Sequence, residues 1–163
     1  MKSKTFIFAY QPKSVEALKL LPEADLKDPF GTAALTLLAM LEYDENPEKA
    51  IEMLNFLRGP EPLSVLDHQF LKDRLEGKGY IARSYFVGAN IENGYKCDEP
   101  LMVTIFDLPY SYEHESYVRL FVKSNGADTP REIMLRQKDN QFFLWENMLM
   151  SDVRTPAELE PWL

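Results

Sequence analysis

Apolar residues change their spacing once along the chain. From Ser14 to Glu76 they recur at helical intervals, and from Tyr80 to Asn147 they alternate or gather in short β-rich runs. Asp28-Pro29 places a capping side chain before a proline at the first helical position, where the missing N–H costs nothing. The run that follows (Phe30, Ala33, Ala34, Leu37, Leu38, Leu41, widened by Leu35 and Met40) is apolar on most sides, as a central helix is. Asn46-Pro47 repeats the start signal, Ile51, Leu54 and Leu57 form one face, and Gly59-Pro60 ends the helix. Ser64 with Asp67 reads as a capping box, with Val65, Leu66, Phe70, Leu71 and Leu75 expected inward and Gly77 as the stop. A shorter helix is expected from about Val15 to Leu21.

In the second half the pattern predicts strands near 80–87, 101–106, 116–124, 131–138 and 141–147. Asp139-Asn140 marks a tight hairpin, Asn125-Gly126 opens a longer turn, and Gly88 to Pro100 reads as a loop. Helices first and strands afterwards, without βαβ alternation, indicate an α+β fold. N-terminal helices (about 14–76) should pack on a C-terminal curved antiparallel sheet or small β-barrel (about 80–147), all in one domain over 1–163. With 163 residues and 45% apolar content, the chain should bury on the order of 70% of its unfolded surface without a disulfide or metal.

Strand faces differ in chemistry. Val118, Leu120 and Val122 share one face of their strand, and Tyr117, Arg119, Phe121 and Lys123 share the other; Phe142 and Leu144 oppose Phe143 and Trp145. The aliphatic face suits the helices. The aromatic face, with Tyr117, Phe121, Phe143 and Trp145, either lines a concavity of a strongly curved sheet or packs as a second buried layer.

Charge narrows the partners. Twenty-six acids against 18 bases give a net charge of -8, which disfavours nucleic acid and anionic membranes. The apolar stretch from Phe6 to Tyr10 is too short for a signal peptide, and a single cysteine leaves no intramolecular disulfide, so a cytoplasmic location is expected. Between Lys96 and Arg119 there is no base, while Asp98, Glu99, Asp107, Glu113 and Glu115 fall there, interleaved with Tyr110, Tyr112 and Tyr117. Such a segment can dock a basic protein partner, with Tyr110 and Tyr112 as anchors and Glu113, His114 and Glu115 around them. The same segment can equally be solvated loops whose acids prevent edge pairing.

Reaction signatures are missing. Gly77-Lys78-Gly79 lacks the spacing and hydroxyl of a phosphate loop, and neither a G-x-S-x-G nor an S-x-x-K sequence occurs. Cys97 sits beside Asp98 and Glu99, which raise rather than lower a thiol pKa. His68 reads as a partly buried helix histidine, and His114, between Glu113 and Glu115, has carboxylate neighbours in sequence that an extended backbone points away from it. With no close histidine pair, neither a metal site nor a cofactor is expected.

The local motifs accumulate into a resemblance. Asp28-Pro29-Phe30 with Thr32-Ala33-Ala34-Leu35, Gly59-Pro60, Pro62-Leu63-Ser64, Phe70-Leu71-Lys72-Asp73-Arg74, Arg83-Ser84-Tyr85-Phe86, Pro109-Tyr110-Ser111-Tyr112 and Phe143-Leu144-Trp145-Glu146 resemble a family of small uncharacterised bacterial proteins, defined only as a domain of unknown function. The resemblance covers roughly residues 20 to 155 and implies a bacterial, cytoplasmic protein. It brings no activity, ligand or catalytic residue. The residues favour a non-catalytic interaction module, with a small-molecule binder or enzyme built on the aromatic face as the alternative.

Overall fold

The computed structural model describes residues 1–159. Its elements run β1 (Ser3–Phe8), α1 (Val15–Lys19), α2 (Pro29–Leu41), α3 (Pro47–Arg58), α4 (Val65–Leu75), α5 (Tyr80–Arg83), β2 (Leu101–Phe106), β3 (Tyr117–Val122), β4 (Arg131–Lys138) and β5 (Gln141–Asn147), with short 3-10 turns between some of them. Five helices and one five-stranded antiparallel sheet, in the order β1-β2-β3-β4-β5, make a mixed α+β structure. The sheet is open, with β1 and β5 as its two edges, so the barrel branch of the expectation falls. No helix among the described residues is long and apolar enough to cross a membrane.

α2 is the centre. Every residue from Phe30 to Leu41 is buried, and Leu35, Leu37 and Leu38 have no exposed surface at all. Its two buried hydroxyls are satisfied: Thr36 donates to the Thr32 carbonyl and Thr32 to the Phe142 carbonyl, each at 2.9 Å. The second bond ties the helix directly to β5. Caps form where the sequence placed them. Asp28 accepts from the Phe30 N–H at 3.0 Å, Asn46 from the Lys49 N–H at 3.2 Å, and Ser64 and Asp67 complete a reciprocal capping box.

Inward strand residues Val103, Ile105, Val118, Leu120, Val122, Ile133, Leu135 and Leu144 pack toward α2 in a single hydrophobic cluster. Asp139 and Asn140 both have positive φ (52° and 66°), as the two-residue β4–β5 hairpin requires.

Three expectations are corrected. The strand at 80–87 is instead helix α5 followed by turns: Tyr80, Ile81, Tyr85 and Phe86 are all buried, and a short apolar run does not discriminate helix from strand by period. β1 was absent from the expected elements; Phe6 and Phe8 face inward while Ser3, Thr5 and Ile7 face out, and the strand pairs with β2 along its whole length. The strand therefore precedes the helices and joins a sheet built from the other end of the chain. On α4 only Leu71 and Leu75 are buried; Val65, Leu66 and Phe70 are exposed, because a peripheral helix presents one narrow edge to the core. His68 is exposed as well.

Truncating the central helix tests the core assignment. Leu38→Ala should destabilise by about 2–5 kcal/mol in denaturant melts, whereas Asn46→Ala should cost about 0.5–2 kcal/mol with the fold intact.

Candidate functional site

The face of the sheet turned away from α2 carries no helix over its middle. Its side chains come from alternate positions: Tyr117, Arg119 and Phe121 on β3, Glu132, Met134 and Arg136 on β4, and Phe143 on β5. A bulge adds one more. Met134 pairs with Glu146 and Leu135 with Leu144, leaving Trp145 as the extra residue of β5. Bulges bend a strand and re-aim a side chain, and here the indole lies 5.9 Å from the Tyr117 ring. The Arg136 guanidinium sits over both rings, 4.5 Å from Trp145 and 5.8 Å from Tyr117.

Helix α3 closes one side. Arg58, in its last turn, donates from Nε to the Glu61 carbonyl at 2.9 Å and from Nη1 to the Trp145 carbonyl at 3.0 Å. Gly59 then turns the chain with φ of 66°, and the Phe143 ring packs against its bare Cα; a Cβ there would fall 2.4 Å from Phe143 Cδ1. Arg58, Pro60, Glu61, Arg136, Lys138, Phe143 and Trp145 line a shallow concavity of about 230 Å³. Three cations surround a floor of two aromatic rings, with one carboxylate on the rim. Among the described residues, no carboxylate lies within 4.0 Å of the charged nitrogens of Arg58, Arg136 or Lys138.

The other sequence candidates distribute around this concavity. Tyr117 lies beside it, 5.9 Å from the Trp145 ring, and lines a second, more open depression with Tyr110, Glu113, His114, Arg119 and Met134. Phe121 faces the same way but is buried, covered by Tyr110 edge-on at 5.8 Å and by Phe106 at 6.0 Å. The four aromatics therefore do not line one cavity. Arg119 lies 5.0 Å above the Tyr110 ring and is neutralised by Glu132 at 2.6 Å.

Glu113, His114 and Glu115 are exposed in the turn before β3; His114 packs edge-on to Tyr117 at 4.7 Å and accepts from the Ser116 N–H at 3.1 Å. Neither flanking glutamate hydrogen-bonds to the imidazole. Tyr112 has a specific partner, donating its hydroxyl to Asp107 at 2.8 Å. Asp107 also accepts from the Lys2 N–H at 2.7 Å, while its own N–H donates to the Lys2 carbonyl, so this pair latches the start of β1 to the end of β2. The Lys2 N–H bond and the Tyr112 hydroxyl hold the Asp107 carboxyl below the usual carboxylate range. The latch is therefore intact at neutral pH and is lost only as pH falls below that range.

Burial pushes the Cys97 thiol up to about 11, and its sulfur lies 3.6 Å from the Arg83 carbonyl. Among the described residues there is no group of three or more His, Cys, Asp or Glu side chains fit to hold a metal ion. The cations were the residues sequence reasoning passed over. Alternation along 131–138 already puts Arg136 on the face of Tyr117, but the approach of Arg58 depends on where α3 ends against β5, which no local pattern encodes.

The sequence model of one family matches residues 10–157. The chain belongs to the family described as Domain of unknown function (DUF6935). No curated protein and no solved structure matches it. The DUF6935 match spans every element except β1, so the concavity and the α4–β5 region both lie within the family domain.

The Tyr112 latch has a spectroscopic signature. Partial burial and the bond to Asp107 push the Tyr112 phenol up to about 12. Its contribution to stability is full below the ordinary tyrosine range and is lost as pH rises through that value. Phenolate absorbance, differenced against Tyr112→Phe, should show this late titration, and Asp107→Asn should move it to lower pH.

Proposed function

We propose that this chain is a non-catalytic interaction module that binds an acidic segment of a partner protein on the outer face of its sheet. One observation carries the reading. In a chain with 26 acids and 18 bases, Arg58, Arg136 and Lys138 line one concavity with the rings of Phe143 and Trp145, and among the described residues none of the three is in an ion pair. Arginine and tryptophan are the side chains that most often dominate truncation energies at protein interfaces. Arg58 is held by two backbone carbonyls and Arg136 by two rings, so both guanidiniums are oriented in advance and lose little freedom on binding. The volume, about 230 Å³, is below the roughly 300–1,000 Å³ of sites that enclose a small molecule. An open depression of that size suits a carboxylate side chain presented by a larger partner. A half-buried, single cysteine with a raised thiol pKa is compatible with action in a reducing bacterial cytoplasm.

Glu113 and Glu115 favour a second reading, a basic partner docked at the turn with Tyr110 and Tyr112, because both glutamates are exposed and unpaired among the described residues. The two readings require partners of opposite charge. Titration with poly-L-glutamate and, separately, poly-L-lysine, followed by amide and indole NMR, decides between them. Poly-L-glutamate should shift the Trp145 indole and Arg136 signals, less so at high salt. Arg136→Ala with Lys138→Ala should weaken that response at least tenfold without lowering the melting temperature. Shifts confined to residues 110–115 on adding poly-L-lysine would overturn the acidic-partner assignment.

A further inference from the structure

We propose that the partner segment is an amphipathic helix, whose apolar side chains fill a groove between α4 and β5 while its carboxylates reach Arg58 and Arg136; the inference rests on the acidic-partner reading. The groove holds about 280 Å³ and is lined by Leu54, Leu63, Phe70, Leu71, Met148 and Met150 among others. Arg58 and Trp145 line this groove and the cationic concavity alike, so the two form one continuous surface: largely apolar at one end, where Asp67 and Glu146 also line it, and carrying three cations and Glu61 at the other.

The apolar end is not explained by the core. Of its lining, Phe70 is 47% exposed and Met148 62%. α4 is capped at its start by a complete Ser64–Asp67 box, so its exposed apolar residues stand on a fixed helix. Apolar residues gathered beside a polar rim mark an interaction surface more often than a solvated one. Charge complementarity then selects the occupant. The concavity's three cations face only Glu61, so carboxylates are favoured there.

Backbone pairing is not the mode of attachment. Three backbone groups along the β5 edge are already in use: the Phe142 N–H donates to the Leu26 carbonyl at 2.7 Å, the Phe142 carbonyl accepts from Thr32, and the Trp145 carbonyl accepts from Arg58. An added strand would find no free ladder at these positions. Recognition must come from side chains, as when the apolar face of a helix lies in a groove with anchors at i, i+3 or i+4 and i+7.

A phage-displayed library of random 16-residue peptides, selected on the full chain, provides the test. Enriched sequences should carry Leu, Phe, Met or Trp at helical spacing together with Asp or Glu. Labelled synthetic copies should gain helicity on binding by circular dichroism. Phe70→Ser should raise their Kd at least tenfold, and Met148→Ser on the opposite wall should do so independently should the α4 substitution disturb that helix. Arg136→Ala with Lys138→Ala should have a comparable effect. If the arginine–lysine pair matters and neither wall does, the groove inference is wrong while the acidic-partner reading stands. Enrichment of basic peptides, or of none, overturns both.

Discussion

A helix with no polar side must be surrounded, and α2 is such a helix. From Phe30 to Leu41 every residue is buried, so the rest of the chain has to supply a wall in every direction. α3 covers one flank, α5 another, and the inward aliphatic residues of the sheet cover the broad face. Apolar burial contributes about 25 cal/mol per Å², so enclosing the twelve residues from Phe30 to Leu41 is a large contribution to stability from one element. Thr32 and Thr36 are tolerated inside only because their hydroxyls find carbonyls, and Thr32 turns that requirement into a fixed link between α2 and β5.

That enclosure uses up one face of the sheet and leaves the other without a second layer. The outer face consequently has to satisfy itself. Tyr110 and Phe106 cover Phe121, Arg119 is held between Tyr110 and Glu132, and Arg136 lies over Trp145 and Tyr117. An exposed cation–ring contact contributes only about 0.5–1 kcal/mol. The stacking thus orients Arg136 more than it stabilises the fold, and it leaves the guanidinium edge available to an anion. Arg119, with Glu132 at 2.6 Å, has no such spare capacity. The same sheet face holds one arginine used for structure and one free to bind.

Much of this was legible in sequence, for reasons that can be located. Pro29, Asn46 and the Ser64–Asp67 box announce helix starts because capping is a local interaction, complete within four residues. The strands at 101–106, 131–138 and 141–147 follow from alternation and from a turn dipeptide that accepts positive φ. What failed was decided at long range. Tyr80 to Phe86 is apolar enough for either structure, and its packing within the core made it a helix and turns. β1 depends on a partner about a hundred residues away and on the Asp107 latch, neither of which leaves a local mark. Val65, Leu66 and Phe70 were misassigned because a sequence shows that residues are apolar and does not show whether the fold has a place for them. Membership of the DUF6935 family accounts for the recurring motifs without saying what any of them does.

The sign of the site follows from distance rather than from the chain's total charge. At physiological ionic strength the Debye length is about 8 Å, so acids beyond the rim of the concavity are largely screened from a bound group. The total of -8 governs solubility and long-range repulsion. An anion that has already arrived meets Arg58, Arg136 and Lys138 at close quarters, against Glu61 in the same lining and Asp67 and Glu146 in the adjoining groove. The overall field then slows the approach of any anion, most of all a highly charged one, and favours a segment whose few carboxylates are joined to a large apolar side. The groove beside the cations offers lining for such an apolar side, so under the proposed reading net charge and local charge, opposite in sign, favour the same kind of partner.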